Sequence, residues 1–210
     1  MLLPLRYLDG NSFMSRDAYG HLCTNNGTVW HLGGRSFDGI DDWITCGADC
    51  AKITGPVSLL VWFKADAWAQ TMAIAGRGWA LAGAGASAYC LVYYQPTNRF
   101  YWDIYDATTR SSLFATNPTS DTTECHLLAG RWDGTVQNNS QSIWMDGNRL
   151  SERQSAVTSL HDDSWEFIIG RRGSLAEYHL DGCVRVVALY SRYLSDTELS
   201  NLYLNGLLTS

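Results

Sequence analysis

The dipeptide Asp-Gly occurs five times in this chain, and each copy follows an apolar residue. Asp-Gly accommodates the positive φ angles that tight hairpin turns require. Short runs rich in aromatic and β-branched residues lie between the copies. The five copies are Asp9-Gly10, Asp38-Gly39, Asp133-Gly134, Asp146-Gly147 and Asp181-Gly182. This pattern predicts an all-β chain of antiparallel strands joined by tight turns.

Seven segments have the composition of buried or half-buried strands. The clearest is 57–64, in which Val, Leu, Trp and Phe surround one Ser. The others are 88–94, 100–105, 126–132, 142–146, 166–169 and 183–190. Strands at this spacing predict a sandwich or a barrel. We expect Trp62, Trp132 and Trp144, which lie in these apolar runs, to be core residues.

A helix signal comes at the end of the chain. Ser195 and Glu198 have the spacing of a capping box, in which each residue binds the backbone amide of the other. An apolar stripe follows before Gly206 and consists of Leu199, Leu202 and Tyr203. Because no linker, low-complexity tract or internal repeat divides the sequence, we expect one domain over residues 1–210.

Charge and hydropathy exclude several classes of partner. Lys and Arg number 15 against 21 Asp and Glu, which gives a formal net charge of −6 without any basic block. Nucleic-acid binding is therefore disfavoured. No apolar run approaches the roughly 20 residues of a membrane-spanning helix. The apolar start 1–5 is shorter than the core of a signal peptide, so we expect neither membrane insertion nor a signal peptide.

The six cysteines are spread along the chain without a Cys-x-x-Cys pair. Zinc sites usually have such paired spacing. Because no secretion signal is visible, buried reduced thiols are expected. A Cys46–Cys50 bridge is compatible with the spacing, but nothing in the sequence supports it.

An ordered set of motifs resembles laminin-G-like, concanavalin A-like jelly rolls. The segments are 17–20, 26–28, 36–44, 57–64, 130–134, 143–147, 169–172, 180–182 and 190–195. They follow the order and spacing of that superfamily from about Asp9 to Tyr203. The resemblance implies a two-sheet antiparallel jelly-roll sandwich, with the short helix at its C-terminal end.

Glucanases of this superfamily carry two carboxylates on one sheet face, as retaining glycosidases require. None of the five glutamates has an aspartate beside it in such a strand pattern. The closest approach is Asp162-Asp163 near Glu166, in a loop-like context. A Gly-x-Ser-x-Gly nucleophile motif is also absent. We therefore expect no enzyme activity, and a glycoside hydrolase is the least favoured function.

The resemblance implies calcium as the usual ion, held by oxygen ligands from the opening loops and an acid in the closing strand. The opening loops offer Asp17, Asn26 and Asp38. Arg185 stands where the family has its acid, and a guanidinium there opposes a divalent ion. We therefore expect no cofactor, with Arg185 on the face opposite Val184 and Val186, turned toward solvent, the opening loop or a partner chain. If the opening loop is the partner, Arg185 takes the place of calcium and joins that loop to the closing strand. Calcium at Asp17, Asn26 and Asp38 is the alternative.

Segment 100–105 alternates, so every second side chain is expected on the same sheet face. One face holds Phe, Trp and Ile, and the other holds Tyr101, Asp103 and Tyr105. Aromatic rings beside an acid form a stacking platform for a sugar, and Tyr93 or Tyr94 is expected nearby. The same face would serve equally as an amphipathic outer surface or as a protein contact.

These observations predict a non-catalytic recognition module. The favoured function is a structural surface component, such as a decoration or fibre protein, of a bacteriophage virion or a similar assembly. The alternative is a free carbohydrate-binding, lectin-like adhesion domain. The expected partner is the protein surface of a larger assembly or a cell-surface glycan, and the chain is expected to form a homo-oligomer. The expected location is the virion surface or the extracellular space.

Overall fold

The computed structural model describes residues 1–5, 10–78, 87–161, 165–173 and 177–205. In these residues two antiparallel sheets of eight strands each form a sandwich, and a helix follows the last strand. The prediction of an all-β, two-sheet jelly-roll sandwich with one short C-terminal helix is confirmed. In the described part of the chain, no helix is long and apolar enough to cross a membrane.

The described residues form sixteen strands and one α-helix. In chain order they are β1 (Leu2–Pro4), β2 (Ser12–Met14), β3 (Leu22–Asn26), β4 (Val29–His31), β5 (Gly34–Asp38), β6 (Trp43–Thr45), β7 (Val57–Ala65), β8 (Met72–Gly78), β9 (Ser87–Tyr94), β10 (Arg99–Tyr105), β11 (Arg110–Thr116), β12 (His126–Trp132), β13 (Gln141–Met145), β14 (Asn148–Arg153), β15 (Phe167–Ile169), β16 (Asp181–Tyr190) and α1 (Asp196–Asn205). A 3-10 turn at Gln95–Thr97 joins β9 to β10.

The strand order places distant parts of the chain side by side. The first sheet has the order β14-β13-β12-β7-β16-β5-β4, and β1 also pairs with β16. The second sheet has the order β11-β10-β9-β8-β15-β6-β3-β2. The chain therefore crosses between the sheets several times, as a jelly roll requires.

Large aromatic side chains from both sheets fill the space between them. Trp102 of β10 lies against β12, where a Cβ added to Gly130 would be 2.3 Å from the indole ring. The indole Nε1–H of Trp102 donates to the backbone oxygen of Arg131 at 3.1 Å. Other fully buried aromatic residues in this core are Phe37, Phe63, Phe100, Trp132 and Phe167. Gly130 is thus required because the indole occupies the space of its missing side chain.

Helix α1 covers part of the outer face of the first sheet. The predicted capping box is present: the Ser195 N–H donates to Glu198 Oε2 at 2.8 Å, and the Glu198 N–H donates to Ser195 Oγ at 3.2 Å. Leu199 packs with buried side chains of the sheet, including Trp144. Trp62 is half-buried rather than in the core, because it stacks on Tyr203 at the edge of this cluster. Gly206 lies outside the described residues.

A buried guanidinium ties the helix to the sheet. Arg131 is fully buried, and its Nε donates to Ser142 Oγ at 3.0 Å. Its two terminal nitrogens donate to the backbone oxygen of Leu194 and to Asp196 Oδ1, the latter at 2.8 Å. Its Cζ atom lies 4.6 Å from the centre of the Trp144 ring. A buried charge is stable only when its hydrogen-bonding groups are satisfied, which these contacts achieve.

The Asp-Gly pairs do not all have the predicted role. Asp146-Gly147 joins β13 to β14 with φ angles of 50° and 75°, as a type I′ hairpin turn requires. Asp181-Gly182 is not a turn: it begins β16 and pairs with β5. Glycine is required there because a Cβ atom at position 182 would collide with the backbone of β7, at 2.1 Å from the Lys64 oxygen. Asp9 lies outside the described residues.

Arg185 faces solvent, which is one of its three expected surroundings, but β16 does not alternate regularly around it. A β-bulge between Val184 and Val186 inserts Arg185 into β16, so simple alternation breaks at this point. Val184 and Val187 both face the core between the sheets, and Arg185 is exposed. Within the described part of the chain Arg185 makes no ion pair, so it does not hold the opening loop to the closing strand.

Arg131→Ala should lower the free energy of unfolding by about 2–4 kcal/mol, because charge-assisted hydrogen bonds and buried packing are lost. Arg149→Ala is the matched control, since its Cζ lies 5.9 Å from the same Trp144 ring but its side chain is 45% exposed. The control should stay within about 0.5 kcal/mol of the unmodified chain. Urea unfolding measures both, and equal losses would contradict the role of Arg131.

Candidate functional site

The outer face of the second sheet carries the candidate site, on β9, β10 and β11. The alternation of β10 is as predicted: Phe100, Trp102 and Ile104 lie in the core between the sheets. The other side chains of the strand point outward, where Tyr101 is half-buried and Tyr105 belongs to the same apolar cluster as Cys90 and Val92 of β9. Regular pairing with both neighbouring strands holds this face in place.

Three aromatic rings form the apolar part of the site. Tyr101 lies between Tyr94, which is 39% exposed, and Phe114, which is 44% exposed. The ring centres are 5.9 Å apart for Tyr94 and Tyr101 and 5.6 Å apart for Tyr101 and Phe114. The guanidinium of Arg99 covers the Phe114 ring, with Cζ 4.4 Å from its centre. Strand register explains the cluster, since Tyr101 is directly opposite Phe114 and Arg99 is directly opposite Tyr94.

A charged pair lies beside the rings. The side chain of Asp103 is buried, and its Oδ2 accepts a hydrogen bond from Arg110 Nη2 at 2.6 Å. Its Oδ1 accepts from the hydroxyl of Ser112, which is directly opposite in β11. The Arg110 side chain is 42% exposed, and its Cζ lies 5.8 Å from the centre of the Tyr105 ring. Asp103 thus holds an exposed guanidinium and a hydroxyl at fixed positions on the surface.

Burial and charge set the protonation of this pair. Burial raises the pKa of Asp103, although the charge of Arg110 and the hydrogen bond from Ser112 both oppose that shift. Burial lowers the pKa of Arg110, but the Asp103 carboxylate outweighs it, so the net shift is upward. Arg110 therefore remains charged wherever Asp103 titrates.

The four predicted ligand residues lie at different depths. Tyr101 is at the surface, whereas Asp103 and Tyr105 are buried beneath Arg110. Tyr93 lies on the opposite face of the sheet: its ring packs against Trp68 in the core, with ring centres 4.8 Å apart. The register explains this, because Val92, not Tyr93, is opposite Tyr101.

Sequence reasoning missed the residues that β11 contributes. These are Arg110, Ser112 and Phe114, together with Arg99 of β10. The missed signal is the alternation of 110–116, in which apolar residues and Ser111 are buried and the residues between them are more exposed. That period is typical of an edge strand with one solvent-facing side.

The residues assigned to calcium lie in separate loops and strands. Asp17 Oδ2 accepts a hydrogen bond from the Leu2 N–H at 2.8 Å, and its Oδ1 accepts from the Tyr19 N–H at 2.9 Å. Asn26 ends β3, and its side chain donates to the backbone oxygen of Thr24 at 3.4 Å. Calcium at Asp17, Asn26 and Asp38 therefore stays a prediction.

Asp38 lies beside two other carboxylates, Asp41 and Asp42, within 4.8 Å. Such oxygen ligands suit a hard cation. Hydrogen bonds from the Ile40 and Asp41 amides lower the pKa of Asp38, while burial raises the pKa of Asp42. Asp42 Oδ2 already accepts from the Asp38 N–H at 3.0 Å, so these groups also stabilise the turn itself. Asp17 is not part of this group.

Only one of the three carboxylates named as the nearest approach to a glycosidase pair lies among the described residues. Asp162 and Asp163 lie outside the described residues, whereas Glu166 directly precedes β15.

A cavity of about 220 Å³ lies elsewhere on the surface and includes Tyr19, His21, Asp49 and Lys52 in its lining. Tyr19 stacks on His21 with ring centres 6.0 Å apart, and it is 81% exposed.

Comparison with known proteins gives both a family and a fold. The model of the concanavalin A-like lectin/glucanases superfamily matches residues 37–200. The Trypanosoma rangeli sialidase in complex with sialic acid is similar with a TM-score of 0.69 at 18% identity, over 99% of this chain and 33% of the sialidase. The botulinum neurotoxin serotype D binding domain is similar with a TM-score of 0.66 at 12% identity, over 99% of this chain and 51% of that domain. No curated protein matches the sequence.

The chain thus spans about a third of the sialidase and half of the toxin domain, and at these identities the likeness shows the fold alone. The prediction of a structural component of a bacteriophage virion is wrong, because these similar structures are a sialidase and a toxin binding domain. The lectin-like framework is supported instead. Since the family model covers most of the residues and both sheets, the chain belongs to the concanavalin A-like lectin/glucanase superfamily.

Proposed function

We propose that the chain is a non-catalytic carbohydrate-binding module and that its ligand lies on the outer face of β9, β10 and β11. The observation that supports this most directly is the row of surface rings formed by exposed Tyr94 and Phe114 with half-buried Tyr101 between them, and with Arg99 and Arg110 beside it. Exposed apolar clusters with polar neighbours mark binding surfaces. The sialidase relative, which was solved with sialic acid bound, makes a saccharide a reasonable class of ligand.

The chemistry of the face suits a sugar. The C–H faces of a pyranose ring are apolar and stack on Tyr101 and Phe114, while its hydroxyl groups need hydrogen-bond partners at the rim. Arg110 and Ser112 supply such partners, and Asp103 fixes both. Groups held by strand pairing lose little freedom on binding, which favours affinity.

The same geometry argues for binding without catalysis. Most retaining glycosidases use two carboxyl groups about 5 Å apart, one of them free to attack the sugar. Among the described residues of β9, β10 and β11, Asp103 is the one carboxylate on this face, and both of its oxygens are engaged by β11. Its role is to position Arg110 and Ser112 rather than to react.

Tyr101→Ala and Phe114→Ala should each weaken binding about tenfold or more, since an aromatic stacking partner contributes on the order of 1 kcal/mol beyond its buried area. A glycan array with the unmodified chain identifies the ligand, and titration calorimetry with that ligand measures both variants. Circular dichroism verifies that each variant remains folded.

The control is Tyr19→Ala, which removes a more exposed tyrosine that also stacks on an aromatic ring but lies at the separate cavity. Its affinity should equal that of the unmodified chain. Loss of binding in Tyr19→Ala with full binding in Tyr101→Ala would place the ligand in the cavity. Absence of binding across the array would refute the proposed function.

Binding should also weaken as the pH falls through the raised pKa of Asp103. Protonation removes the charge that holds Arg110 and leaves the guanidinium free to move away. The groups around Asp103 are Arg110 and Ser112 of β11, Cys90 of β9 and Tyr105 of its own strand. Calorimetry from about pH 7 to about pH 4 should show this loss in the unmodified chain. Asp103→Asn should bind weakly, and its affinity should lack this dependence.

A fall in pH should have the opposite effect on folding stability from its effect on binding. Because the pKa of Asp103 is higher in the folded than in the unfolded chain, the folded state takes up a proton first as the pH falls. The contribution of Asp103 to stability therefore increases at acid pH. Weaker binding with retained stability would separate loss of the site from acid unfolding.

A further inference from the structure

Three thiols converge where β3 and β6 meet in the second sheet. The Sγ atoms of Cys23 and Cys46 are 2.9 Å apart. Cys50 follows in the next loop, where its Sγ donates to Met1 Sδ at 3.1 Å and its thiol contributes to the raised pKa of Cys46. All three residues belong to the core between the sheets. Cys90 also has a buried thiol, but it lies on the outer face of the same sheet.

The strand register brings two of these residues directly opposite each other. Thr24 pairs with Thr45 across the antiparallel strands, so the adjacent residues Cys23 and Cys46 are also opposite. The Cys46 N–H points away from β3, because it donates to the backbone oxygen of Phe167 at 2.9 Å. The cysteines therefore form a non-hydrogen-bonded pair, the kind in which Cα atoms are about 4.5 Å apart. That separation lies within the range of about 4.4–6.8 Å that disulfides span.

We propose that Cys23 and Cys46 form a disulfide when the chain folds in the presence of a disulfide oxidant. A thiolate of one cysteine attacks a sulfur of the oxidant, which forms a mixed disulfide and releases one thiol. The second cysteine, as a thiolate, attacks the protein sulfur of that mixed disulfide and releases the second thiol. The protein loses two electrons and two protons, and the oxidant gains both.

The environment of the thiols determines when the Cys23–Cys46 disulfide can form. Hydrogen bonds with Cys23 and Cys50, together with burial, hold the pKa of Cys46 well above its usual value in the folded chain. A thiol in this state attacks slowly, because the thiolate is the nucleophile. The bond is therefore expected to form during folding, before the core closes over β3 and β6.

The disulfide would connect the two ends of a crossover. Between Cys23 and Cys46 the chain leaves the second sheet, forms β4 and β5 in the first sheet, and returns as β6. A bond that closes this loop restricts the unfolded chain. The oxidised protein should melt about 5–10 °C above the reduced protein.

Peptide mapping tests the pairing. The chain is refolded in a glutathione redox buffer, free thiols are alkylated, and trypsin cleaves after Arg16, Arg35 and Lys52. Cys23 then lies in peptide 17–35, and Cys46 and Cys50 share peptide 36–52. The proposal requires a covalent link between these two peptides and alkylation of Cys50. Cys50→Ser must retain the link.

Variants test the effect on stability. Cys23→Ser and Cys46→Ser should each lose the difference in melting temperature between oxidising and reducing conditions, and the control Cys90→Ser should retain it. Peptide mapping of the unmodified chain decides the pairing even where a variant fails to fold. Alkylation of all six cysteines, a bond within 36–52, or a link that disappears in Cys50→Ser would each overturn the proposal.

Discussion

The contact of Trp102 with β12 is the interaction on which the rest of the sandwich depends. Its indole fills the space left by Gly130 and donates a hydrogen bond to the next residue of the facing sheet. A directional bond between two buried groups fixes the relative position of the sheets, which apolar packing alone does less strictly. The side chain of Arg131 then continues outward from the same strand to the start of α1. The second sheet, the first sheet and α1 are thus joined through the consecutive residues Gly130 and Arg131.

The candidate site uses the other side of the strand that carries Trp102. Because side chains alternate, anchoring Trp102 in the core orients Tyr101 and Asp103 outward. The neighbouring strand β11 then contributes the groups that make the surface chemically distinct, namely Arg110, Ser112 and Phe114. With Tyr94 of β9, the site is a product of pairing among three strands, and no single strand contains it.

Features that depend on near neighbours in the sequence were predictable, and features that depend on register were not. The capping box at Ser195 and the two faces of 100–105 follow from local spacing, and the structure has both. By contrast, β8 (Met72–Gly78) is rich in Ala and Gly and buried on both faces, so it lacks the alternation that marks a strand. The inward position of Tyr93 and the partnership of Asp103 with Arg110 depend on which residues face each other across strands. The sequence alone does not show which residues of neighbouring strands lie opposite each other.

The bulge at Arg185 changes which residues of β16 face the interior of the sandwich. Before it, even-numbered residues such as Val184 face the interior, and after it odd-numbered residues such as Val187 and Leu189 do so. Ala188, on the other face, lies at the surface under α1. The pairing with β7 passes directly from Val184 to Val186, so the bulge takes up Arg185 as one extra residue. A chain that kept Arg185 but lost the bulge would present Ala188 to the interior and Leu189 to the helix, whereas a chain without Arg185 would keep both faces as they are. The bulge is therefore the device that lets β16 hold an exposed arginine without exchanging its two apolar faces.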